Sequence, residues 1–313
     1  MLFRVKRRMK RAGVLVWILM PALHLYASAF AVDKRAEAQQ LIDSRQLDSA
    51  EKIVVAEMMT APRDSDWITL LAEVRLGQNR TREALILLND ANQIGGISAN
   101  RAMLTSLAHS QAGHMDRAEP PLRTALQLDP NNATAHYFLA RLLYTLNRFD
   151  ESIEESMKTI SLAPGFVRAY ENLGLCYDGK HEIDEAERWY LKAIDQQAAS
   201  ENKTEWPMID LAVMFIGENR FAEAKPYLAQ ALEINPNNNQ ALLQMGIVLE
   251  EAGDLQGALD KYRASIHSAQ SNPQPGIGSA YYKAARLCRK LGYPDEAKQD
   301  LIIFKKLLNK HKG

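Results

Sequence analysis

Along the chain, a small residue that follows a polar or charged one recurs at Ala50, Ala84, Ala118, Ser152 and Ala186, each step being 34 residues. The series resumes four residues late at Ala224, advances another 34 to Ala258, and ends five residues late at Ala297. Apolar positions keep the same register. Four residues after the small one stand Val54, Leu88, Tyr190, Leu228, Tyr262 or Leu301, and seven after it Ala91, Ala125, Ala193 or Ala231. These offsets share one face of a helix, so they predict an apolar stripe with small residues where a neighbour comes close. Twelve positions on, Pro62, Gly96, Pro130, Pro164 or Pro236 ends the helix and turns the chain. An earlier helix in each unit carries a matching stripe: Tyr170, Leu173, Gly174 and Tyr177 in one, Leu242, Met245, Gly246 and Leu249 in another, Tyr281, Ala284, Ala285 and Cys288 in a third. A short turn follows, with Asn79, Gly113, Asn147, Asn219, Gly253 or Gly292, residues that tolerate a left-handed backbone. Each unit is therefore expected to be a helical hairpin.

Eight such units fill the chain after its first residues, at about 32–64, 65–98, 99–132, 133–166, 167–204, 205–238, 239–277 and 278–313. The small-residue, aromatic and proline positions at this period resemble the tetratricopeptide repeat family. That resemblance implies an all-α fold: a right-handed superhelical solenoid of about eight helix-turn-helix repeats, forming one repeat domain over residues 32–313. Departures from the pattern fall at Thr105 and Ser106, where a Leu-Gly pair is usual, and at Ser156, in place of an aromatic. The register breaks coincide with the polar stretch 198–203 and the Pro/Gly-rich stretch 271–276, which read as lengthened loops between units.

The amino-terminal segment lies outside this pattern. Arg4, Lys6, Arg7, Arg8, Lys10 and Arg11 precede an apolar run over residues 12–25, and Ala27-Ser28-Ala29 and Ala29-Phe30-Ala31 both fit a signal-peptidase site. Residues 1–31 are expected to be a signal peptide cut after Ala29 or Ala31, which places the mature chain in the periplasm or outside the cell. The alternative is an anchor in the inner membrane formed by residues 12–31, although a run of fourteen residues is short for a ~30 Å hydrocarbon core. Contact with a membrane is expected only through this segment, if uncleaved. Export also changes the charge: the whole chain has 38 basic and 38 acidic residues, and loss of six basic ones leaves the mature chain at −6. A negative surface repels phosphate backbones, so nucleic acid is excluded as a partner for the body of the protein. Near the carboxyl end, Lys298, Lys305, Lys306, Lys310 and Lys312 face only Asp300, which suits an acidic surface or simply a helix dipole.

Nothing in the sequence assembles a catalytic constellation. There is no G-x-S-x-G, H-E-x-x-H or C-x-x-C, and Gly276-Ile277-Gly278 lacks the strand that a phosphate-binding loop requires. The chain is expected not to be an enzyme and to carry no cofactor and no metal. His109, His114 and His136 sit in adjacent units, but no carboxylate or thiol shares their spacing. Cys176 and Cys288, three units apart, are expected to be separate buried thiols.

Binding remains. The resemblance implies that partner-facing residues lie on the first helix of each unit, at one, four, eight, eleven and twelve positions from its start. On this chain those places hold Tyr137, Arg141 and Tyr144 in the fourth unit and Arg168 and Leu175 in the fifth. They hold Trp206, Ile209, Val213 and Ile216 in the sixth unit and Leu243 and Ile247 in the seventh. Two aromatics with two arginines suit an extended peptide, and the apolar stretch after them suits an amphipathic helix. The competing reading is that a tight superhelix buries these side chains against the next unit. Family members that clamp a partner's terminal carboxylate carry an Asn nine positions into a unit; here Gln39, Glu73, Leu107, Arg141, Leu175, Val213, Ile247 and Arg286 stand there instead. The expected function is an exported scaffold that binds a peptide or helix of a protein partner. A self-assembling structural subunit of a cell-envelope complex is the alternative.

Overall fold

The structure, a computed structural model, describes residues 34–198, 203–271 and 277–310. The expected signal peptide, its cleavage sites and the alternative anchor lie outside the described residues. Among the described residues there are sixteen helices and no strand: α1 (34–43), α2 (Leu47–Thr60), α3 (Ser65–Gly77), α4 (Thr81–Gly95), α5 (Ala99–Gln111), α6 (Met115–Leu128), α7 (Ala133–Thr145) and α8 (Phe149–Leu162). The others are α9 (Val167–Gly179), α10 (Ile183–Gln196), α11 (Trp206–Gly217), α12 (Phe221–Ile234), α13 (Asn239–Glu251), α14 (Leu255–Ser271), α15 (Ile277–Leu291) and α16 (Pro294–Lys310). No helix among the described residues is long and apolar enough to cross a membrane.

Inside each hairpin the reversal uses one residue with positive φ. Asn79, Gly113, Asn147, Asn219, Gly253 and Gly292 do this, as the turn composition predicts; His181 (φ 61°) does it as well, and Arg45 (φ 61°) does it without a favourable side chain. The next amide then reaches back five residues into the helix just ended: Arg80 N–H donates to the Arg75 carbonyl at 2.8 Å, and Arg220 N–H to the Phe215 carbonyl at 2.7 Å. This Schellman closure satisfies a carbonyl that the helix end would otherwise leave bare. Arg80, Arg148 and Arg220 also grip Glu83, Glu151 and Glu223 one turn further on, at 2.6, 2.5 and 2.7 Å. The second helices lack a side-chain N-cap at these positions, so the acid in the first turn meets both the arginine and the positive helix end. First helices are started differently, by Asp64, Ser98, Asn132 and Asn238, whose side chains accept first-turn amides.

The chain divides into two compact units between Asn131 and Asn132. In the first, successive helices from α2 to α6 pack on one another, and α3 also touches α5. In the second, every helix from α7 to α16 packs on the next, and α7 with α9, α9 with α11, and α11 with α13 meet as well. The small-residue series is the seam of this packing: Ala50, Ala84, Ala118, Ser152, Ala186, Ala224 and Ala258 are fully buried, and Ala297 nearly so.

Two glycines show how close the seam is. A Cβ on Gly174 would lie 2.5 Å from the ring of Tyr190, and one on Gly246 would overlap the ring of Tyr262. Both rings are fully buried, a transfer that stabilises by roughly 1.5–3 kcal/mol per large side chain. Ser156 occupies the corresponding place in α8 and cannot fill it. Asn172 from α9 enters instead and donates to the Ser152 and Ser156 hydroxyls at 2.9 Å each, while Ser152 donates to the Ala140 carbonyl at 2.7 Å. A missing ring is thus replaced by a buried hydrogen-bonded knot.

Candidate functional site

The first helices α7, α9, α11 and α13 of the second unit carry all eleven expected contact residues, and they divide into three groups. Some offer real surface: Arg168 is exposed, Trp206 is 39% exposed, and Arg141, Tyr144, Leu175, Val213, Ile216 and Ile247 are half-buried. Tyr137 and Leu243 are almost covered, at 8% and 9%. Ile209 is wholly enclosed, at 0%, in the core built around Tyr190, Leu211, Phe215 and Leu228, and it offers a partner nothing to touch. Tyr137, Ile209 and Leu243 hold the same fourth wall position on α7, α11 and α13, and that position is the one the neighbouring helices cover, Ile209 most deeply.

The polar end of this wall is organised by Arg141. Its guanidinium lies 5.7 Å from the centroid of the Tyr144 ring, a cation–π placement that holds the fork flat and keeps donors free on its edge. It also faces the acids of the next two units. Burial raises the carboxyl of Glu171 above the usual range against the pull of Arg141 and Arg168. Burial likewise raises Asp178. Asp210 is pushed up to about 7 by burial first and then by the negative charges of Glu171 and Asp178, with Arg141 opposing them. Tyr137 packs its ring 4.9 Å from that of Phe166, and burial raises its phenol although Arg141 and a hydrogen bond from Arg168 work the other way. The wall therefore holds two arginines, three carboxyl groups and two tyrosines, with no lysine among them.

Beyond Asp210 the wall is apolar. Leu175, Val213 and Ile216 pack their inner sides on the core that includes Ile209, and Ile247 packs on the core of Leu243, Tyr262 and Leu287. Each keeps part of its side chain in solvent, so these residues serve core and surface together. Sequence reasoning left Asp210 out. Its signal was available: it is the one charge in the run from Trp206 to Ile216, and a lone charge in an apolar helix asks for a partner or a function.

Other candidates from the sequence are placed elsewhere. His136 is buried and pairs through Nδ1 with Glu155 at 2.5 Å, while the His109 and His114 rings face each other at 6.4 Å. Among the described residues, no group of three or more His, Cys, Asp and Glu is arranged to hold a metal ion. Both cysteines are free and buried; burial pushes the Cys176 thiol up to about 11 and raises Cys288 as well. A thiol held protonated in this way is a poor nucleophile.

The chain matches the Tetratricopeptide repeat family over residues 110–155, 166–237, 210–273 and 278–302, together more than half of its length. The type IV pilus assembly protein PilF of Pseudomonas aeruginosa is 27% identical over 143 residues, which make up 46% of this chain and 56% of that protein. The match thus spans about half the length of that relative, and other curated relatives are covered less. A solved structure of Pseudomonas aeruginosa PilF superposes with a TM-score of 0.57 at 24% identity, covering 67% of this chain and 91% of that one. A tetratricopeptide repeat protein from Parabacteroides merdae reaches 0.63 at 16% identity, covering 82% and 97%. At such identities the structural likeness concerns the fold.

Proposed function

This chain belongs to the tetratricopeptide repeat family, and we propose that it is an exported, non-catalytic scaffold holding a segment of a partner protein against the first helices of its second unit, in the assembly of a pilus or a related envelope structure. The observation that carries the reading is the division of the wall. Arg141, Arg168, Glu171, Asp178 and Asp210 form a polar end, and Trp206, Val213, Ile216 and Ile247 an apolar one, all with surface to offer. A segment with polar residues followed by an apolar helical face meets both halves. Arginine forks bind its carbonyls or acids, the carboxyl groups bind its basic residues, and the apolar residues bury its hydrophobic face. A relative named for type IV pilus assembly supports a place outside the cytoplasmic membrane, where the basic and apolar first residues would send the chain.

Photo-crosslinking in intact cells tests this. A crosslinking residue placed at Arg168, Val213 or Ile247 is expected to trap one and the same partner, and one placed at Ile86 on the exposed side of α4 is not. Equal trapping from all four positions, or none from the wall, removes the proposal.

One observation favours a second reading, self-assembly. α16 leaves Ile302, Ile303 and Leu308 at 46%, 37% and 47% exposure, apolar side chains that a second copy is able to cover in part. Light scattering of the purified chain over a wide concentration range decides it: a strict monomer rejects self-assembly and leaves the scaffold reading standing.

A further inference from the structure

The hairpin of α15 and α16 differs from the others in charge and in cover. Residues 277–310 hold eight basic and three acidic residues, whereas residues 132–276, earlier in the same unit, hold nine more acidic than basic ones. Two of the three acids, Glu296 and Asp300, are taken up by Arg263 of α14 at 2.7 and 3.3 Å. Lys298 and Lys305 are exposed and have no carboxylate partner among the described residues. Cover is missing beside them. Tyr282 holds the place in α15 that Leu243 holds in α13, yet Leu243 is 9% exposed and Tyr282 50%. On α16, Leu301 stands where Leu88 and Leu228 are buried, and it is itself only half-buried, as is Phe304. At 3.6 residues per turn, Lys298, Leu301, Ile302, Lys305 and Leu308 share an arc of about 120°. The Tyr282 ring lies at the edge of that arc, 5.4 Å from the ring of Phe304.

We propose that this side of α15 and α16 docks on the surface of an anionic phospholipid bilayer. Apolar and aromatic side chains interleaved with unpaired lysines are what an interfacial helix needs: the hydrocarbon enters the boundary of the acyl chains, and the ammonium groups reach back along their stems to the phosphates. Charge complementarity chooses this occupant over a second copy of the chain. A copy meeting the face through the same face would set Lys298 and Lys305 against lysines, whereas an anionic leaflet attracts every one of them. The acidic residues of 132–276 favour the same outcome, because an anionic surface repels them and so turns the basic hairpin toward it. Contact with a membrane is then not confined to the amino-terminal segment. The surface is separate from the wall of α7, α9, α11 and α13, which a docked chain leaves open to a partner.

Hydrogen exchange of the full chain tests the proposal, with vesicles of phosphatidylcholine alone and of phosphatidylcholine mixed equally with phosphatidylglycerol. Exchange in α15 and α16 is expected to slow with the mixed vesicles only, and high salt is expected to restore it. Residues 1–31 could carry the chain to a vesicle without protecting these helices, so the footprint and not the bound fraction is the readout. Equal protection by both kinds of vesicle, or none by either, overturns the proposal. Protection that appears without lipid and grows with protein concentration overturns it as well, in favour of a second copy. Lys298→Gln and Lys305→Gln are each expected to raise the lipid needed for half protection about fivefold, and Ile302→Ser, at an exposed position, to raise it too. All three substitutions lie on the surface, and unchanged urea unfolding will show that the fold is kept. Variants that keep both their fold and the footprint of the parent chain would sink the assignment.

Discussion

Single atoms decide much of this structure, and Gly174 is the plainest case. Its missing Cβ is what lets the Tyr190 ring lie flat on α9. Gly174→Ala is expected to lower stability by about 1–3 kcal/mol through overpacking, whereas Gly165→Ala, with nothing within 4 Å, should be neutral or slightly stabilising in the same urea titration. Asp210 gives a prediction in pH. Its carboxyl keeps its proton up to about pH 7 in the folded chain, while the ordinary value is 3.8. Between those values the folded chain binds more protons than the unfolded one, so stability falls as pH rises through that window. Asp210→Asn should flatten this slope and stabilise by about 1–3 kcal/mol above pH 7, with little effect near pH 4. Glu171 and Asp178 shift in the same direction and leave a smaller residual slope. Unfolding curves that run parallel for both proteins at pH 4 and pH 8 would contradict the burial of this group.

Among the helices, the anomaly is proline. Pro120 and Pro121 stand inside α6 and Pro226 inside α12. Pro120 and Pro226 hold the same place in the repeat, two residues after the buried alanine, and both face solvent. On that side the carbonyl left without a donor is able to bond water, which lessens the usual cost of about 3 kcal/mol without removing it. Pro226→Ala is therefore expected to raise stability by about 1–2 kcal/mol, seen as a higher Tm with unchanged helix content by circular dichroism; a lower Tm would mean that the proline ring itself is needed for packing. The repeat was legible because its signal is periodic: a small residue every 34 positions and a turn residue before each second helix leave the chain few alternatives. The reversal at Arg45 was not legible, because arginine does not prefer a left-handed backbone and the surrounding hairpin imposes it. The wall was half legible. Arg141, Arg168 and Val213 keep surface as counting expects, but Tyr137, Ile209 and Leu243 all fall at the fourth position, which the neighbouring helices cover, and counting alone does not show how deep that cover goes.

Within each of the two units, the contact pattern is one of neighbours: helices meet the next helix in the chain or the one after it. Stability in such a stack is a sum of local terms rather than the property of one core. Ile209→Ala removes a fully buried side chain from the cluster of α10–α13 and should cost about 2–5 kcal/mol there. Hydrogen exchange is expected to quicken in α10, α11, α12 and α13 and to stay unchanged in α3 and α4 of the first unit. Uniform quickening through residues 34–131 would show that the chain unfolds as one body and that the nearest-neighbour account is wrong. The same measurement bears on function, since a segment bound along the wall adds contacts to α7, α9, α11 and α13 at once and should slow exchange in these first helices more than in α8, α10, α12 and α14 behind them. A partner that protected the second helices instead would have to sit on the other side of the hairpins, and the polar and apolar halves of the wall would then need a different explanation.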